Sequence, residues 1–233
     1  MSNLQSDSFY RRRVLAWSWY DWADHAYITT TASTFFPPYF VTLAAPAFMV
    51  TGPAVKEEAA KAIARSEASN LYAFTVSISL LVAALLAPLV GTYADITGQR
   101  KRLLIIITLL GGVLASAMFG LTTEVWYLGV IFYFITQVAV NIALGLNSSL
   151  LPHIARPDDM NRVSSLGYAM GYMGGWFIPG PLHGAFLVFR SLGDQSRVSH
   201  TYGLSLSRYL VDTIYASPHM GCTRATGHTF NFR

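Results

Sequence analysis

The sequence predicts an all-α, polytopic helical membrane protein. Three observations carry that expectation. Only 12% of the 233 residues are charged and 53% are hydrophobic, against about 25% charged in a soluble domain. Five stretches lack Asp, Glu, Lys and Arg: Ala26–Val55, Ala68–Ala94, Leu103–Thr123, Val125–Ala155 and Val163–Phe189. Each reaches the ~20 residues that cross a ~30 Å hydrocarbon core. The basic residues gather in clusters between these stretches, as loop charge does in a membrane protein. The composition excludes a water-soluble globular enzyme and a disordered chain, and the mean hydropathy is +0.40. The net charge of +4 orients the chain in a bilayer, so no nucleic-acid partner is expected. Cys222 is the one cysteine, so an intrachain disulfide and a multi-thiolate metal site are excluded. Met1–Tyr10 is polar and leads into Arg11-Arg12-Arg13, which does not read as a cleavable signal peptide.

The first span is expected near 14–36. It follows the arginine cluster, and Pro37-Pro38 should end or kink a helix, because proline lacks the N–H and clashes with the preceding turn. This register puts Asp21, Asp24 and His25 inside the span. An alternative register starts near Ala26, passes the prolines with a kink and ends near Val50. Ala54–Ser69 carries Lys56, Glu57, Glu58, Lys61, Arg65 and Glu67 among alanines, residues that favour helix, and reads as a short solvated helix. The second span is expected near 70–94 with Pro88 as a kink, the third near 103–123, the fourth near 125–150 and the fifth near 163–188. Asp95–Arg102 and Arg156–Arg162 are polar loops between them.

With the N-terminus inside, the cytoplasmic segments carry Arg11, Arg12, Arg13, Arg100, Lys101, Arg102, Arg156 and Arg162, and the outer ones Lys56, Lys61 and Arg65. Eight against three favours a cytoplasmic N-terminus. The division expected is a helical part over residues 1–178 and a second part, the end of the fifth span and a polar tail, over 179–233. From Arg190 onward the 44 residues hold no lysine and no clear span. That stretch is either an ordinary polar tail or a frameshifted segment whose frame breaks within Trp176–Arg190.

The loop Gly91-Thr-Tyr-Ala-Asp95-Ile-Thr-Gly98-Gln-Arg100-Lys101-Arg102 combines three devices. Gly91 allows close helix approach, Gly98 supplies a backbone conformation other residues resist, and Asp95 can cap the next helix or pair with a neighbouring cation. It resembles the Gly-x-x-x-Asp-(Arg/Lys)-x-Gly-(Arg/Lys)-(Arg/Lys) signature of the major facilitator superfamily, with Ile96 and Gln99 in two usually basic positions. Tyr20-Asp21-Trp22-Ala23, Asn147-Ser-Ser-Leu-Leu-Pro152 and Arg162-Val-Ser-Ser-Leu-Gly167-Tyr168-Ala-Met-Gly171-Tyr172-Met-Gly174-Gly175 are similar to the branch that includes the yeast vacuolar amino-acid effluxer of autophagy and its bacterial relatives. Asp24-His25 stands where that branch usually has Asn-Ser. The resemblance covers about 13–175.

The resemblance implies the first five spans of a truncated six-helix N-terminal half, with the solute path between two halves near the midplane. It implies secondary active transport of a small solute, amino acids in the named branch, across a bacterial inner membrane. It implies a latch role for Gly91, Asp95, Gly98, Arg100, Lys101 and Arg102. With the second half missing, the chain alone is expected not to transport. A non-transporting membrane interaction or regulatory protein is the alternative.

Several residues are candidates on their own chemistry. Asp21 and His25 share a helix face and could pair. With Asp24 they are either a proton-coupling or substrate cluster inside the span or residues of the cytoplasmic interface. Gln137, Asn141 and Asn147 either line a polar path or make interhelical hydrogen bonds. Gly167, Gly171 and Gly175 form a small-residue stripe for static packing or for sliding. Trp17, Trp19, Trp22, Trp126, Tyr127 and Tyr133 suit interface anchors. His153 and His183 are isolated and suit core or interface positions better than metal ligation. No phosphate-binding loop, nucleophile elbow or zinc-protease motif occurs, so no enzyme activity and no cofactor are expected.

Overall fold

The computed structural model describes residues 3–50, 52 and 56–177. The second expected part, the end of the fifth span, His183 and Cys222 lie outside the described residues. Six α-helices make up the described chain: α1 (Asn3–Tyr27), α2 (Phe36–Ala44), α3 (Glu57–Thr97), α4 (Arg100–Met118), α5 (Trp126–Ile154) and α6 (Met160–Phe177). Among the described residues there is no strand. Three helical segments are long and apolar enough to cross a membrane: Glu57–Thr97, Arg100–Met118 and Thr123–Ile154. The chain is an all-α integral membrane protein.

The first helix does not stop at Pro37. A π-helical segment, Ile28–Phe35, joins α1 to α2. The Phe36 N–H reaches back to the Thr31 carbonyl, one residue further than an α-helix would. The prolines thereby fall in the first turn of α2, the place where a missing N–H costs a helix least. The shift still strands the Ala32 carbonyl, whose α partner bonds Thr31 and whose π partner is Pro37. Tyr72 of α3 donates its hydroxyl to that carbonyl at 2.8 Å. A neighbouring helix thus restores what the proline removes, the general condition for proline within a membrane helix. The helical rod consequently runs from Asn3 into the 3-10 turn Ala45–Phe48, and both expected registers of the first span are parts of it.

The solvated helix expected over 54–69 is not separate. It is continuous with the second span in α3, whose 41 residues extend ~60 Å at 1.5 Å per residue. That is twice the hydrocarbon thickness, so the Glu/Lys-rich turns stand clear of the apolar part. Leu81, Leu85 and Leu89 are exposed along α3, the composition of a face that meets lipid. Gly98 ends the helix in the left-handed conformation at φ 65°, as the loop motif requires.

The helices pack as α1 on α6, α4 on α5, and α3 on α5. An aromatic core closes one end: the fully buried Phe36 stacks on Tyr133 at 5.0 Å with an interplanar angle of 6°, and Phe40, Tyr72 and Phe119 surround it. Tyr133 is therefore a core residue, a correction to its expected place as an interface anchor. Trp17 is buried too, against Val14, Ile154 and Val163. Near the other end Ala94, Leu104, Ile142, Ala143 and Leu146 form a second cluster.

Candidate functional site

The glycines of α6 meet one face of α1. A Cβ on Gly167 would lie 2.5 Å from the Trp17 ring and 2.7 Å from Asp21 Oδ2. On Gly171 it would lie 2.7 Å from His25 Nδ1, and on Gly175 2.7 Å from Thr29 Oγ1. Asp21 and His25 of α1 and Thr29 of the π segment thus step in register with Gly167, Gly171 and Gly175 along α6, and the two helices run parallel. Gly174 is tighter still: a Cβ there would sit 2.3 Å from the Trp22 carbonyl oxygen. The sequence stripe omitted Gly174, although the Gly174-Gly175 doublet was the signal for it. Gly91 behaves differently from its expected role, because no atom lies within 4 Å of its Cβ position among the described residues.

Asp21 and Asn147 come together although 126 residues separate them. Asn147 Nδ2 donates to Asp21 Oδ1 at 2.8 Å, and both residues are buried. Trp17 Nε1 donates to the Asn147 carbonyl at 2.9 Å. Asn147 is a full α5 turn or more from the helix end at Ile154, so the pair lies ~10 Å inside the bundle at 1.5 Å per residue. Asp21 and His25 do not pair through their side chains as expected. His25 Nδ1 lies 3.0 Å from the Asp21 backbone carbonyl, and the carboxylate takes Asn147 instead.

Asp24 is 7% exposed, and its Oδ2 has no hydrogen-bond partner among the described residues. Tyr20 and Tyr27, one turn to either side, lie within electrostatic reach of it. The Tyr20 hydroxyl is 2.9 Å from Thr108 Oγ1 of α4, and Tyr27 belongs to the aromatic core. Gln137 and Asn141 do not join Asp21: Asn141 Nδ2 donates to the Gln137 carbonyl at 2.8 Å, and Gln137 Oε1 is buried without a partner among the described residues.

At the arginine-rich end Asp95 pairs with Arg100 at 2.7 Å. Arg100 also donates to the Ser149 carbonyl at 3.2 Å and to His153 Nε2 of α5. His153 thus has a hydrogen-bond partner that sequence spacing does not show, because two helix ends that are distant in sequence meet here. Arg102 reaches Gln99 Oε1 at 3.5 Å. No cluster suited to a metal ion occurs among the described residues.

The family described as "Vacuole effluxer Atg22 like" matches residues 10–208. The chain belongs to the Atg22-like vacuole effluxer family. An uncharacterized MFS-type transporter, YxiO of Bacillus subtilis (strain 168), is 26% identical over 160 residues. The aligned segment covers 68% of this chain and 34% of that relative, so the chain spans about a third of the relative's length. Within this Atg22-like chain the Asp21–Asn147 pair and the glycine contacts both fall inside the matched segment.

Proposed function

We propose that this Atg22-like chain forms the first helical bundle of a secondary active transporter, with residues 1–178 as the functional part. Its solute is a small amino acid, and its location a bacterial inner membrane with the N-terminus in the cytoplasm. The observation that carries the reading is the buried Asp21–Asn147 pair at 2.8 Å, set against a glycine face. A buried carboxylate in a membrane bundle is costly and marks a solute or ion path by default. Here Asn147 fixes one carboxylate oxygen of Asp21; the other faces Gly167 too closely to admit even a methyl group, so a solute ammonium group reaches it only when α6 moves off α1. Asp24, with an oxygen that no described donor satisfies, is the residue that exchanges the coupling proton. Glycine contacts of this closeness let α6 move along α1 without side chains to interlock, as alternating access requires. The cytoplasmic N-terminus is supported by contacts that gather Arg13, Arg100 and Arg156 at one end.

Trp17, bonded to Asn147, gives the test. The purified chain in detergent is titrated with alanine, serine or leucine while its tryptophan emission is followed. A saturable change that Asp21→Asn removes is expected. No saturable change with any amino acid overturns the reading and leaves the alternative, a membrane assembly element. For the chain alone, binding without net flux in vesicles is the expected pattern.

A further inference from the structure

Four helices meet at His153. Arg13 of α1 donates to the His153 carbonyl at 2.7 Å. Arg100 of α4 bonds Asp95 of α3 at 2.7 Å, the Ser149 carbonyl of α5 at 3.2 Å, and His153 Nε2. Arginine has N–H donors and no acceptor. The imidazole nitrogen facing it must therefore present a lone pair, which requires the neutral ring with its proton on Nδ1. An imidazolium carries N–H donors at both nitrogens and a positive charge, so it cannot accept from Arg100 and repels it.

Among the described residues, the charged groups bonded at this node offer no compensation. From α1 comes Arg13 and from α4 Arg100, both cationic. Asp95, the carboxylate of the node, is already bonded to Arg100. Arg156, one turn beyond, is held by Asp7 at 2.8 Å and lies over the Tyr10 ring. Histidine is the side chain that ordinarily changes charge between pH 5 and 8.

We propose that His153 is an acid-released pin: neutral, it accepts from Arg100 and holds the α3–α4 loop to the end of α5, and protonated, it lets that loop go. The pin is present while the ring is neutral and is lost when the ring takes a second proton. It acts at the arginine-rich end whichever solute the bundle takes, so its success or failure is separate from the solute assignment.

Spin labels at exposed Ile96 and Ser148 report the distance from the end of α3 to α5. The full chain is labelled as Ile96→Cys/Ser148→Cys in a Cys222→Ser background, and the distance distribution is read at pH 8 and pH 5. A single short-distance population at pH 8 that is lost at pH 5 is expected. His153→Gln, whose side-chain oxygen accepts from Arg100 at either pH, should keep the short population at both. His153→Lys should lack it at both. Arg100→Gln should abolish the pH response without touching the histidine. An unchanged distribution in the unsubstituted chain, or a His153→Gln or Arg100→Gln protein that keeps the full pH response, overturns the proposal.

Discussion

Asn147 holds Asp21 across the interior of the bundle at 2.8 Å, and it does so with its side chain while its backbone carbonyl accepts from Trp17. The two bonds are separable. Asn147→Ala leaves the Trp17 bond and orphans Asp21 Oδ1. Stranding a buried charged acceptor costs about 1–3 kcal/mol or more, so thermal unfolding in detergent should shift down clearly. Asn141→Ala removes a partly buried bond to a helix carbonyl and should shift it little.

Glycine contacts divide sharply by environment. Gly174→Ala would place a methyl 2.3 Å from the Trp22 carbonyl, a backbone atom that cannot swing away, so α1 and α6 must separate. Overpacking of this kind costs about 1–3 kcal/mol or more. Gly91→Ala meets open space in α3 and gains about 1 kcal/mol of helix propensity. Unfolding midpoints of the two variants should move in opposite directions. Unchanged stability in Gly174→Ala would mean that the two helices do not approach this closely.

The π segment supplies a double-mutant test. Tyr72→Phe leaves the Ala32 carbonyl without its donor, at about 1–3 kcal/mol. Pro37→Ala returns an N–H that can reach that carbonyl. The double variant should therefore lose less stability than the sum of the single losses, measured by unfolding of all four proteins. Strict additivity would place the two groups in separate roles.

Gly98 closes α3 at φ 65°. Gly98→Ala puts a Cβ into left-handed backbone, at a cost of about 1–2 kcal/mol. The unfolding midpoint should fall, and less with Gly98→Asn, since asparagine tolerates this conformation.

Much of this fold was legible in the sequence because membrane helices announce themselves by composition. The uncharged stretches Leu103–Thr123 and Val125–Ala155 coincide largely with the helices α4 and α5. Gly98 and the Asp95–Arg100 loop also follow from local chemistry. The continuity of the first helix through Pro37-Pro38 did not, since the group that rescues it, Tyr72, lies 40 residues away. The same limit applied to the candidate site. Asp21 suggested His25, its neighbour at helical spacing, whereas its partner is Asn147 on another helix. His153 looked solitary because Arg100 is 53 residues distant in the chain. Local pattern reports which side chains share a face, and only packing decides which face another helix.

The most direct test of the central claim, that the Asp21–Asn147 pair is a solute site, is the tryptophan-emission titration of the purified chain with small amino acids. Saturable binding that is lost in Asp21→Asn and weakened in Asn147→Ala, with both variants still folded by circular dichroism, is the predicted result. Binding of unchanged affinity in folded Asp21→Asn would contradict it.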